Sequence, residues 1–126
     1  MMTNINDSSV KQELRNRAYA FSVTIIQFIH DETEKQKIYY SLVDQLLRSS
    51  TSIGANIVEA KSASSRKEFI RYFEIALKSA NETKYWLCLF RDAIKCDKQK
   101  TGDLIGEADE ISKMIASSIL TLKGKK

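Results

Sequence analysis

The sequence contains no proline, and only four glycines, two cysteines and one histidine occur in its 126 residues. Because proline removes a backbone donor and clashes inside a helix, its absence permits long uninterrupted helices. No apolar run approaches the roughly 20 residues that cross a bilayer, and residues 1–16 lack the apolar segment of a secretory signal. Cys88 and Cys96 are separated by roughly 12 Å along a helix, too far for a disulfide. We therefore expect a soluble cytoplasmic protein with free thiols.

Side chains that carry catalysis or bind metals are equally sparse. The one histidine, His30, has Gln27 three residues before it, so the Glu-x-x-His pairs of a di-iron bundle are missing. Two cysteines and one histidine in three places do not make a structural zinc site. No base is expected near the serines of residues 49–52. The paired carboxylates Asp109 with Glu110, and Glu32 with Glu34, are expected in loops or on solvated faces. The sequence predicts a non-enzymatic protein without metal or other cofactor.

Apolar residues recur at alternating intervals of three and four, which is typical of amphipathic helices packed side by side. Four segments with this pattern predict helices at about 9–30, 36–61, 65–96 and 103–123. The core positions predicted in these segments are Leu14, Ala18, Phe21, Ile25, Phe28, Tyr39, Leu42, Leu46, Ser50, Ile53, Ile57, Ala60, Phe69, Phe73, Ala76, Ala80, Thr83, Leu87, Phe90, Ile94, Leu104, Ala108, Ile111, Ile115, Ser118 and Leu122.

Short polar connections separate these segments. Ser9 with Gln12, and Ser65 with Glu68, are spaced as capping boxes at the starts of the first and third helices. Because short connections make successive helices antiparallel, we predict an all-α fold. It is a single domain over residues 1–126, an up-down-up-down antiparallel four-helix bundle that assembles as a ring-like oligomer.

A second apolar stripe lies beside the core positions of the third helix, and its members are Tyr72, Ile75, Ser79, Glu82, Trp86 and Leu89. One interpretation is that these residues widen an ordinary core-facing surface. The other is that they form an oligomer interface, because together with Tyr40, Val43 and Leu47 they exceed what one bundle can cover. The small residues at 49–56 either admit a partner helix or relieve crowding in the core.

Positive charge gathers at one end of the predicted bundle, formed by residues 1–17, 59–71 and 121–126. Ten basic residues lie there: Lys11, Arg15, Arg17, Lys61, Arg66, Lys67, Arg71, Lys123, Lys125 and Lys126. Four acids accompany them: Asp7, Glu13, Glu59 and Glu68. This end therefore carries +6, more than the whole chain's +4. A solvated cap explains the cluster in a monomer. If several subunits form a ring with these basic ends on the same side, we predict that the ends bind the phosphates of RNA or DNA.

The second and third segments contain a distinctive set of residues. They are Arg48, Ser49, Thr51, Ser52, Ile53, Asn56, Ile57 and Glu59, then Ser65, Glu68 and Phe69, then Ala76, Ser79, Ala80 and Glu82. In these residues the chain resembles the family of 23S rRNA intervening-sequence proteins. Where many relatives have E-G-x-G or a proline, residues 59–63 read EAKSA. The resemblance implies a homopentamer with five bundles arranged as a barrel.

The resemblance also implies a relation to the accessory variability protein of diversity-generating retroelements, a basic pentamer that binds nucleic acid and a reverse transcriptase. We therefore expect a nucleic-acid-binding accessory protein, acting on structured RNA with a reverse transcriptase as its partner. The alternative is a structural or regulatory module that binds another protein and no nucleic acid. Asn56, Glu59 and Glu82 are expected to settle helix packing or the subunit interface.

Overall fold

The computed structural model describes the backbone of residues 2–124 and the side chains of residues 9–124. In that range the chain forms four α-helices and no strand: α1 Met2–Lys35, α2 Tyr40–Ala60, α3 Arg66–Asp92 and α4 Lys98–Leu122. Each helix packs against the next along the chain, and α1 also packs against α4. In the described part α1 and α3 do not pack together, nor do α2 and α4, so these pairs lie on the diagonals. The predicted all-α bundle of four helices is confirmed.

The core follows the predicted apolar pattern closely. In α1 all five predicted positions are buried. In α3 each predicted position from Phe73 to Phe90 is buried. Tyr39 was predicted inside and is 74% exposed, because it caps α2 and leaves Ile38 to pack against the core. In α4 Ile119 is buried where Ser118 was predicted, because a straight helix of 3.6 residues per turn drifts from a strict 3.5-residue repeat.

Helix α1 is longer than predicted at both ends. It begins at Met2, so Ser9 lies within the helix and does not cap its start. It continues through the polar residues 30–35, which were predicted to form a connection. Glu32 follows Phe28 by four residues and is 1% exposed, so the buried face of α1 runs one turn further with a carboxylate in an apolar position.

The ends of α3 and α4 show where local chemistry sets a boundary. Ser65 caps α3 as predicted, and its Oγ accepts a hydrogen bond from the Glu68 N–H at 3.1 Å. Helix α3 ends at Asp92, four residues before the prediction, and Lys95 adopts a left-handed backbone with φ of 66°. Helix α4 starts at Lys98, five residues before the prediction, because the Asp97 carboxylate accepts the Lys100 N–H at 2.9 Å.

Candidate nucleic-acid interface

An open groove of about 1010 Å³ lies at the basic end, between the start of α3 and the end of α4. Arg66, Lys67 and Arg71 line it from α3, and Lys123 lines it from the end of α4. The Arg66 guanidinium donates to the Leu122 carbonyl oxygen at 3.0 Å, which ties the two helix ends together. The groove thus collects four of the predicted phosphate-binding residues on two helices that meet antiparallel.

Most cations of this end are not neutralised by a carboxylate. Lys61, Lys67 and Arg71 are exposed, and none of them has an ion pair or a side-chain hydrogen bond within residues 9–124. The Lys11 ammonium lies 4.8 Å from the centroid of the Phe69 ring, a cation–π contact that leaves its charge uncompensated. Such side chains can exchange water for phosphate without first breaking an ion pair.

Arg17 differs from the other predicted phosphate-binding residues. Its guanidinium binds the Glu107 carboxylate of α4 through two hydrogen bonds of 2.6 and 3.0 Å. The hydrogen bond with Glu107 is the main reason that the pKa of Arg17 is raised. A third nitrogen lies 3.4 Å from the Met114 sulfur. Arg17 therefore joins α1 to α4, and most of its charge is already compensated.

Two other basic residues predicted at this end have polar partners among the described residues. The Lys123 ammonium pairs with Glu74 at 3.0 Å, so it is partly neutralised by one of the two acids, Glu68 and Glu74, that line the groove. Arg15 donates to the side-chain oxygen of Gln12, a neutral partner that leaves the charge of the arginine available. Lys125 and Lys126 lie outside the described residues.

The stripe predicted as an oligomer interface is largely used inside the subunit. Tyr72 and Trp86 are half-buried and pack against the core, and Leu89 is half-buried as well. The Trp86 Nε1–H donates to the exposed Glu82 carboxylate at 3.0 Å, and Ser79 bonds across to α2. Only Ile75, at 37%, counts among the exposed large apolar residues of the stripe. Most of its apolar members thus widen the core-facing surface of α3.

More of the exposed large apolar residues lie on α1 and α2 than on α3, and they include Tyr19, Val23, Ile26, Tyr40 and Val58. The two helices approach closely at Ala18 and Gly54, since a Cβ added to Gly54 would lie 3.5 Å from the Ala18 Cβ. Sequence reasoning included Tyr40 alone of these residues in the apolar surplus. The intervals of four and three between Tyr19, Val23 and Ile26 are the signal that could have shown the rest.

The small residues of the family motif form a polar contact between α2 and α3. The hydroxyl groups of Ser49 and Thr83 are 3.0 Å apart, and those of Ser52 and Ser79 are also 3.0 Å apart. Asn56 donates to the Ser52 hydroxyl at 3.0 Å and to its carbonyl oxygen at 2.8 Å. The two hydroxyl pairs therefore join α2 to α3, whereas both hydrogen bonds of Asn56 stay within α2. Glu59 stands apart from this contact and is exposed.

A second polar cluster is buried at the opposite end. The Glu32 carboxylate lies beside the Cys96 thiol and accepts from Lys35 at 3.5 Å. Burial, reinforced by the charge of Glu32, raises the pKa of Cys96 to about 12. The thiol is therefore protonated at neutral pH and is a poor nucleophile. In the part of the chain that the structure describes, no three His, Cys, Asp or Glu side chains converge as metal ligands.

None of the helices, over the residues described, is long and apolar enough to span a membrane.

Comparison with known proteins identifies a family and similar solved structures. The family model described as 23S rRNA-intervening sequence protein matches residues 10–117. A crystal structure described as a protein with unknown function from the S23 ribosomal protein family, from Bacteroides thetaiotaomicron VPI-5482, is 38% identical. It superposes with a TM-score of 0.79, over 84% of this chain and 97% of that one. None of the curated proteins matches the chain.

Proposed function

Because the chain belongs to the family of 23S rRNA-intervening sequence proteins, we propose that it is a non-enzymatic, self-associating protein that binds nucleic acid through the groove at its basic end. The observation that carries this proposal is the set of uncompensated cations there. Among the described residues Lys67 and Arg71 have no acidic partner, and Arg66 bonds only to a backbone carbonyl oxygen. Phosphates can take up these donors and release counterions in return.

Self-association would strengthen this binding by placing several basic ends on one particle. Two surfaces support it. The exposed apolar face of α1 and α2 is the larger, and Ile75 with Glu82 remains accessible on α3. The ring of five subunits and the partnership with a reverse transcriptase stay predictions from the family resemblance. Mass determination in solution tests the assembly, and a monomer at micromolar concentration contradicts it.

The binding proposal is tested by retention of labelled RNA and DNA on filters as salt is varied. We expect tight retention at low salt and a logarithmic salt slope of about −0.7 to −0.9 per phosphate contacted. The double variant Lys67→Gln with Arg71→Gln should flatten that slope by roughly 1.4 to 1.8, because it removes two contacts. Both side chains are exposed, so the fold should be unchanged.

A matched control removes the same charge from the other end of α4. Lys98→Gln with Lys100→Gln changes two exposed lysines near the α3–α4 turn and should leave the slope as it is. Two results contradict the proposal. One is no retention of RNA or DNA by the unaltered protein at low salt. The other is an equal loss in both double variants, which would mean that only net charge matters.

A second function, binding of another protein, is favoured by the exposed face of α1 and α2. Tyr19 is 73% exposed and Tyr40 is 81% exposed, a large apolar area if subunits leave it uncovered. Pull-down from a nuclease-treated lysate separates the two functions. A partner that is captured by the unaltered protein and lost in Ile26→Glu supports protein binding, whereas loss of all partners after nuclease supports nucleic-acid binding.

A further inference from the structure

One side of α3 faces away from the other helices along most of its length. Its residues recur at intervals of four and three, which places them in a single row on the helix surface. The row, here called the outer ridge, is Lys67, Arg71, Glu74, Lys78, Asn81 and Tyr85, and all six are exposed. At 1.5 Å per residue it extends about 27 Å from the basic groove toward the middle of the bundle.

The outer ridge is positive and polar. Lys67, Arg71 and Lys78 make no ion pair or side-chain hydrogen bond with any described residue. The single carboxylate of the row, Glu74, is paired with Lys123 at 3.0 Å. Three uncompensated cations therefore stand in line, and they continue the positive surface out of the groove.

The row ends at an aromatic ring. Tyr85 is 61% exposed, and its ring meets the neighbouring Trp86 ring at 72°, with 5.3 Å between centroids. This contact is edge-to-face and does not sandwich Tyr85 between other rings. Its hydroxyl has no hydrogen bond among the described residues, and Asn81 lies one turn before it with a free amide.

We infer that the outer ridge of α3 holds one unpaired strand of nucleic acid, with phosphates on Lys67, Arg71 and Lys78 and a base stacked on Tyr85. The inference rests on the proposed function and specifies its ligand. Cations in line with an exposed aromatic ring are the chemistry of single-strand binding. A duplex offers the same phosphates, but its base faces are stacked on each other and cannot reach a ring on a convex helix.

The test compares Tyr85→Leu with Tyr85→Phe on a labelled single strand and on the same strand annealed to its complement. We expect Tyr85→Leu to weaken single-strand binding by about fivefold or more, because base stacking is lost, and to leave duplex binding nearly unchanged. Tyr85→Phe keeps the ring and should bind like the unaltered protein. Tyr39→Leu is the control and should change nothing, because this tyrosine is 74% exposed, makes no side-chain cap hydrogen bond and lies outside the outer ridge.

RNA and DNA strands are both measured, because phosphates and base faces are common to them. If Tyr85→Leu binds the single strand as tightly as the unaltered protein while Lys67→Gln with Arg71→Gln binds weakly, the ridge assignment is wrong and the proposed function stands. If the unaltered protein binds neither strand form, both are wrong.

Discussion

Replacement of Thr83 by valine tests whether Ser49 of the family motif, its hydrogen-bond partner, serves to pack α2 against α3. The Thr83 side chain is fully buried, and its hydroxyl lies 3.0 Å from the Ser49 hydroxyl and 2.8 Å from the Ser79 carbonyl oxygen. Valine has nearly the same shape, so it leaves no cavity and removes only the hydroxyl. The variant loses two hydrogen bonds, but the Ser49 hydroxyl can still donate to the Leu46 carbonyl oxygen, 3.3 Å away. We therefore expect the free energy of unfolding to fall by about 1–2 kcal/mol.

Thermal unfolding followed by circular dichroism measures this loss as a fall in Tm of roughly 3–10 °C for a domain of this size. A double-mutant cycle with Ser49→Ala isolates the bond between α2 and α3, and its coupling should be about 0.5–1.5 kcal/mol. Nucleic-acid binding of the folded variants should be unchanged. A stable Thr83→Val protein with no coupling to Ser49, but with weakened binding, would refute the packing role and make the motif part of a site.

Three further predictions follow from single contacts. Arg17→Gln should lower stability by less than about 1 kcal/mol and leave the salt slope of binding unchanged, because Glu107 already occupies the guanidinium; filter binding and thermal melts check both. Cys88 should react with a thiol reagent before Cys96, whose raised pKa and burial protect it until the protein opens; mass spectrometry after timed alkylation gives the order. The hydrogen bond from the backbone N–H of Lys100 lowers the pKa of Asp97. The stabilisation from this cap is therefore fully present at pH values above the ordinary pKa of 3.8, and it is lost as the pH falls through the lowered pKa. The Asp97→Ala variant should consequently show a smaller fall in Tm on acidification than the unaltered protein.

The fold was predictable because the apolar intervals are nearly free of exceptions. Leu14 to Phe28 in α1 and Phe73 to Phe90 in α3 are buried as their spacing predicts. The spacing could not show that a carboxylate occupies a core position. Burial of Glu32 depends on the polar partners Lys35 and Cys96, which lie beside it. Lys35 comes from the last turn of α1, and Cys96 comes from the connection between α3 and α4.

The positions of the helix ends depended on capping interactions, which the apolar pattern does not show. Residues 97–103 contain a glycine and several charges, which is typical of a connection. In the structure Asp97 caps α4, Thr101 is buried and Gly102 faces open space, so the segment is helical. A carboxylate at the cap position outweighs one exposed glycine, whose cost in a helix is about 1 kcal/mol.

The location of the candidate site was predictable, but which of its basic side chains lack an acidic partner was not. Counting charges located the basic end, because antiparallel helices fix which termini meet. It could not distinguish Arg17, whose charge Glu107 compensates, from Arg71, which has no acidic partner in the described chain. That difference depends on which residues of α1 and α4 lie side by side. Spacing within one helix carries no such information.

The order of packing around the bundle has a consequence for how the chain folds. Three of the four helix contacts join neighbours in sequence, and only α1 against α4 closes a long loop, with Arg17 and Glu107 separated by 90 residues. Sequence-local contacts form quickly, whereas closing a long loop costs entropy, so the contact of α1 with α4 is expected to form last. Until it forms, the side of α4 that α1 covers is open to the first helix of another copy. Exchange of α1 between chains is therefore the misassembly to which this bundle is most susceptible, and it grows with protein concentration.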